Sequence, residues 1–265
     1  MGVARTRERS AVASCGIAVM AKASHPGQTK TRLVPPLNPD EAAAFNTAFL
    51  RDVAANVAAA GQEAPIACYM AYGPPGAAAF FDAHFPPPVG LIEAWQPNFG
   101  DCLFVAIEQV LARGHASAVV LNSDSPTLPT ALLVETARML ARPGDRAVLG
   151  SASDGGYYLL GLKLAHRRLF DDVAWSTEVV ARQTRERAAE IGLDVHVLPE
   201  WYDVDDAASL QVLRGEVIEG RAFAPNLPPA PAAHTTALLA ALLARTDLGQ
   251  RLDAGASPVA MRAAE

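Results

Sequence analysis

Residues 116–124 read ASAVVLNSD, an unbroken apolar run that stops on Asn122, Ser123 and Asp124. A strand with one wet face alternates apolar and polar residues. An unbroken run predicts a strand covered on both faces, as in the middle of a parallel sheet. Six further strand-like segments surround it: GIAVMAK, APIACYMAY, VGLIEAW, the RAVLGSAS and GGYYLLGLK pair, and LDVHVLPEWYDVD. Between most of them lie helical patterns at 37–61, 100–114, 129–141 and 176–192, with another at 206–220. The first of these has Asn38 as cap, Pro39 at the first helical position and Glu41 three residues after the cap. Ser176 or Thr177 is expected to cap the 176–192 helix. Alternation of this kind predicts an α/β three-layer sandwich with a mostly parallel central sheet and helices on both faces. Ligands of such sheets bind outside the carboxyl ends of the strands, so the residues just after each strand are where chemistry is expected.

Bulk properties narrow the ligand. The 265 residues carry 22 Lys and Arg against 28 Asp and Glu, a net charge of −6. An acidic chain without a basic run is a poor partner for nucleic acid. No apolar run reaches the roughly 20 residues of a membrane span. Cys15, Cys68 and Cys102 show no metal-ligand or disulfide spacing, and free thiols in a reducing cytoplasm are the expectation. The opening letters MGVART fit the permissive N-myristoylation pattern, but residues 1–14 are expected to be a disordered basic tail. Residues 15–220 would form the main domain and 221–236, rich in Pro and Ala, a linker. Residues 237–265 would form one amphipathic helix with a tail, docked on the domain or on a second copy in a homodimer.

Four strand ends stand out. After the first strand, residues 22–32 hold Lys22, Gly27, Lys30, Thr31 and Arg32, a cationic turn on an acidic background that suits a small anion such as phosphate. The same letters also describe a solvated basic turn, and they do not match the P-loop pattern. After the buried strand, Asp124 with Ser123 offers a carboxylate for a divalent cation; Asp and Ser there would equally cap a helix. In SDGGYY, Asp154, Gly155, Gly156 and Tyr157 read either as a tight turn or as a loop bordering an acceptor, with Asp154 as base or hydroxyl ligand. In DVDD, Asp203 and Asp205 share a face if the strand persists that far, and a cation would relieve their repulsion. Asp205 or Asp206 would also cap the next helix. Trp175 before Ser176 and Thr177 reads as a packing residue or as a pocket wall.

Five ordered motifs, KASHPGQTKTRL, NSDSPTLP, DGGYYLLGL, WST and DVDDAASL, closely resemble the radical-SAM/selenodomain-associated transferases, a family described as glycosyltransferases. The resemblance runs from about residue 17 to 213. It implies the GT-A, or nucleotide-diphospho-sugar transferase, fold, in a superfamily that also contains nucleotidyltransferases. It further implies that Lys22, Lys30 and Arg32 hold nucleotide phosphates, and that Asp124, Asp203 and Asp205 bind Mg²⁺ or Mn²⁺. Asp154 to Tyr157 and Trp175 to Thr177 would border the acceptor. The chain departs from the family at Cys102, where an arginine is common, at Asp101, where a glutamate is common, and at His25 in the opening loop. Three functions are therefore expected, in order: glycosyl transfer from a nucleotide-sugar donor to a small-molecule acceptor, nucleotidyl transfer with release of pyrophosphate, and non-catalytic nucleotide binding.

Overall fold

In a computed structural model, residues 14–255 are described; the expectations for the N-terminal tail and for the last ten residues lie outside them. Seven strands form one sheet: β1 (Cys15–Ala21), β2 (Ile66–Tyr72), β3 (Gly90–Glu93), β4 (Ser117–Leu121), β5 (Ala147–Ala152), β6 (Tyr157–Leu162) and β7 (Val195–Trp201), in the order β3-β2-β1-β4-β6-β5-β7. All run parallel except β6, which is antiparallel to both β4 and β5. Every residue of β4 is buried, as its composition requires of a central strand. The strand order reverses between β1 and β4, the crevice where ligands of open α/β sheets bind.

The helices are α1 (Pro39–Ala60), α2 (Ala78–His84), α3 (Phe99–Ala112), α4 (Thr130–Leu140), α5 (Val180–Glu190), α6 (Ala207–Val217), α7 (Ala233–Arg245) and α8 (Leu248–Gly255). One face of the sheet packs on α1, α2, α4 and α6 to α8 through Phe45, Phe49, Phe81, Leu132, Leu210, Leu239 and Leu252. The other face packs on α3 and α5 through Leu103, Ile107, Val110 and Ala181. The expected three-layer α/β architecture is present. No helix among the described residues is long and apolar enough to cross a membrane.

Three local expectations are corrected, and a short helix, α2, forms in the run after GPPG, where none is expected. Ser176 and Thr177 do not cap α5: the helix begins at Val180, its N-cap Val179 makes no side-chain cap, and the Thr177 hydroxyl donates to the Ala174 carbonyl at 2.6 Å. β7 ends at Trp201, before Asp203. Residues 237–252 do not form one helix, because Thr246 is extended and its hydroxyl accepts the Leu248 N–H at 3.2 Å, which starts a second helix. Both C-terminal helices dock on the domain. Asp52 of α1, buried, accepts the backbone N–H groups of His234 and Thr235, and Arg251 of α8 forms a bidentate pair with Glu41 of α1 at 2.7 and 2.8 Å. Residues 221–232 are also held down: Ala230 and Ala232 are buried, and the Ala230 N–H donates to Thr127.

Candidate functional site

The opening loop is built by its turn chemistry. Gln28 and Thr29 N–H groups both bond the His25 carbonyl, and Gly27 sits at φ +73, a conformation that suits glycine. Asn46 of α1, buried, ties the loop down through the Lys22 carbonyl at 3.0 Å and the Ser24 hydroxyl at 2.8 Å. Lys22, Thr31 and Arg32 project from it exposed. Lys30 does not. Its side chain is 6% exposed and turns inward, donating to Asp124 Oδ1 at 2.8 Å, Asp205 Oδ1 at 3.0 Å and the Val204 carbonyl at 2.8 Å. Arg32, with a side chain 75% exposed, stands 3.5 Å from Asp205 Oδ2.

The carboxylates come from the ends of β4 and β7. The Val204 N–H donates to the Asp124 carbonyl at 2.8 Å, joining the two strand exits. Val204 is fully buried, so Asp203 and Asp205 on either side of it look outward although the strand has ended. Asp206, not Asp205, caps α6 through the Ser209 N–H at 2.8 Å, which leaves Asp205 to Lys30 and Arg32. Beneath them, Ser125 donates to the Tyr202 carbonyl, Thr127 to the Tyr202 hydroxyl, and that hydroxyl to Glu216. This buried network fixes both exits in one register.

The charges are unevenly matched. Burial opposes the charge of Asp124, but the Lys30 ammonium and the Ser123 hydroxyl, 2.9 Å away, hold its carboxyl below the ordinary range. Asp203 has no cationic partner among the described residues. Burial, then Asp154, Asp205 and Asp124, push its carboxyl up to about 7. Asp154 is exposed at the tip of the β5–β6 turn, with Oδ1 accepting the Gly156 N–H at 2.8 Å, so the turn reading and a surface-facing carboxylate hold together. The pair β5–β6 shifts register at Gly150–Ser151, a bulge that redirects this turn.

A second group lies on the α3 side. Trp175 lies against Gly100, where a Cβ would come within 2.6 Å of the indole. Phe99 and Tyr157 meet the indole edge-on at 5.7 and 6.4 Å. Gly155, at φ +88, abuts the Glu178 backbone, while Ser176, at φ +64, and Thr177 are exposed. The Asn122 N–H bonds the Tyr158 carbonyl, so the end of β4 borders the start of β6. The Tyr157 hydroxyl and Asn122 Oδ1 are buried without hydrogen-bond partners. Asn122 escaped the sequence reading although it directly precedes Ser123. Trp95 and Phe99, 48% and 51% exposed beside strand ends, escaped it too because a lone aromatic carries no motif. Cys102, at the position where an arginine was expected, closes its own loop by accepting the Gln96 N–H at 3.1 Å, and Asp101 pairs with Arg167.

The donor chemistry suits a hard divalent cation. Such a cation needs only one or two protein carboxylates beside phosphate oxygens, and Asp124 and Asp205 already lie close enough to share one ammonium. Among the described residues, however, no three His, Cys, Asp or Glu side chains are gathered as a ready-made metal site.

Residues 56–177 match the family DUF2064, described as uncharacterised proteins conserved in bacteria. No curated protein matches the chain. The fold is similar to that of a Desulfovibrio desulfuricans G20 protein provisionally named a nucleotide-diphospho-sugar transferase, with TM-score 0.75 and 26% identity over 89% of this chain and 97% of that one. It is also similar to a CMP:2-keto-3-deoxy-manno-octonic acid synthetase in complex with CTP, with TM-score 0.50 and 13% identity over 78% of this chain and 100% of that one, a likeness of fold alone. The chain thus shares its α/β fold with the Desulfovibrio protein and with that synthetase.

Proposed function

We propose that this chain is a metal-dependent transferase that takes a nucleotide-activated donor and moves its glycosyl group to a small acceptor. The observation that carries the reading is the meeting of a cationic loop with the Asp124 and Asp205 carboxylates at the switch point of the sheet. The motif resemblance to the radical-SAM/selenodomain-associated transferases and the likeness to the Desulfovibrio protein point the same way. The aromatic group of Phe99, Tyr157 and Trp175, which adjoins the Asp154 turn through Tyr157, supplies apolar surface for an acceptor.

In this reading Lys22, Thr31 and Arg32, with Gly27 shaping the turn, receive the donor's diphosphate, Arg32 in a forked contact. Ser123 orients Asp124. A cation such as Mg²⁺ or Mn²⁺, held by Asp124, Asp205 and Asp203, would neutralise charge on the departing diphosphate. Asp154, held by the Gly156 N–H, takes the proton of the acceptor hydroxyl. Gly155, Tyr157, Trp175, Ser176 and Thr177 wall the acceptor side and exclude water.

A thermal-shift panel with and without Mn²⁺, covering NTPs, NDPs and NDP-sugars, tests this, since a ligand that binds only the native state raises Tm by mass action. The expected result is a metal-dependent rise with one NDP-sugar that is absent in Asp124→Ala at unchanged fold. A rise with an NTP and none with any sugar nucleotide would replace glycosyl by nucleotidyl transfer. No rise with any nucleotide would sink both.

A further inference from the structure

Lys30 is the one cation of the opening loop with no hydrogen to spare. An ammonium has three donors and no acceptor, and here the three go to Asp124, Asp205 and the Val204 carbonyl. The ring of Phe49 covers it from α1, with its centroid 5.4 Å away. The backbone is bent to deliver it: Lys30 stands at φ 51, ψ 38, the left-handed region that side chains other than glycine enter at a cost. Arg32, two residues on, has a side chain 75% exposed and touches Asp205 only at 3.5 Å, so its guanidinium can meet an incoming anion. The loop therefore divides its cations, Lys22 and Arg32 turned outward and Lys30 buried on the carboxylates assigned above to the metal.

Resting on that assignment, we propose that Lys30 is an internal cation that keeps the site closed until metal and nucleotide arrive together. Metal alone must evict a buried ammonium from both carboxylates and leave it only the Val204 carbonyl. Phosphate alone meets a lysine whose donors are spent. When both arrive, the metal takes over Asp124 and Asp205, and the phosphates receive Lys30. Each ligand supplies the partners that the other removes, so the two bind with positive coupling, which is reciprocal by linkage. The loop would change its contacts on loading, from the carboxylates to the diphosphate.

The test uses the full chain and Mn²⁺ alone, read by the electron paramagnetic resonance of the free aqueous ion. Lys30→Met is expected to bind Mn²⁺ at least about tenfold more tightly than the wild type, because two carboxylates are released. Equal or weaker binding by the variant, with the wild type binding Mn²⁺, overturns the lock and leaves the metal reading standing. Binding by neither overturns both. A second measurement needs no variant and holds if Lys30→Met does not fold. Lys22, Lys30 and Lys163 are the only lysines, so reductive methylation can be followed at each by mass spectrometry. Lys30 is expected to react far more slowly than exposed Lys22 in the free protein and to speed up only at Mn²⁺ concentrations high enough to load the site without nucleotide. Lys30 reacting as fast as Lys22 without metal, or staying protected when Mn²⁺ is bound, overturns the proposal.

Discussion

Asp203 shows at the scale of one residue how the carboxylate cluster taxes the fold. Its ordinary value is 3.8, and burial with three acidic neighbours lifts it to about 7 in the folded chain. Between those values the folded state holds more protons than the unfolded one, so stability falls as pH rises through that window and levels off above it. Asp203→Asn removes the titration. We expect the variant to gain on the order of 1 kcal/mol over the wild type between pH 5 and pH 8, a figure reduced for the residue's partial exposure. Urea midpoints at the two pH values check this; equal differences at both would show that Asp203 is not the group responsible. Gly155 gives a second residue-scale prediction. At φ +88, and with a Cβ directed into the Glu178 backbone, Gly155→Ala should cost on the order of 3 kcal/mol. Gly156→Ala meets chiefly the Asp154 carboxylate at 3.0 Å and should cost less. Denaturant melts of both variants rank them.

Among elements, α1 does most to hold the loop in place. Its capping box is complete: Asn38 Oδ1 accepts the Glu41 N–H at 2.9 Å, and Glu41 Oε2 accepts the Asn38 N–H at 2.8 Å. Glu41 also receives Arg251 from α8, and Asn46 on the same helix holds the Lys22 carbonyl. Asn38→Ala should cost about 1 kcal/mol, the usual worth of a cap. Glu41→Gln should cost more, because it also weakens the Arg251 pair. Arg251 keeps the Glu41 carboxyl below its ordinary 4.5, so the contribution of that pair is in place above 4.5 and is lost as pH falls further. Thermal melts at pH 7 and pH 3.5 separate the two: the gap between Glu41→Gln and wild type should narrow in acid, and the Asn38→Ala gap should narrow less. An equal response would mean that the α8 clamp contributes nothing.

For the whole molecule, the question is whether residues after Gly220 are an appendage. Leu239, Leu248 and Leu252 are buried in the same core as α1 and α6. At about 1.5–3 kcal/mol for each buried leucine, a chain ending at Gly220 should lose on the order of 5 kcal/mol, and buried Asp52 would lose both of its backbone donors. Such a loss is a large share of the stability of an ordinary domain. A truncated chain with an unchanged denaturant midpoint would make the extension dispensable. Because α8 reaches Pro36 and Glu41, next to the loop of Lys30 and Arg32, the extension and the site are expected to soften together.

Read alone, the sequence determined the architecture and the neighbourhood of the site. The unbroken apolar run of β4 places it at the centre of the sheet, because a backbone buried on both faces tolerates no alternation. Capping letters mark the start of α1, and strand ends mark where Asp124, Asp154 and Asp203 emerge. Tertiary structure decided what those side chains do. Lys30 reads like Lys22 and Arg32 in the chain, and only packing under Phe49 and the approach of the β7 exit, 175 residues away, turn it inward onto two carboxylates. The same holds for Asp205 and Asp206, equal candidates as a cap until the fold gives the cap to Asp206. Local letters set periodicity and turns; the pairing of charges distant along the chain follows from which strand exits the sheet brings side by side.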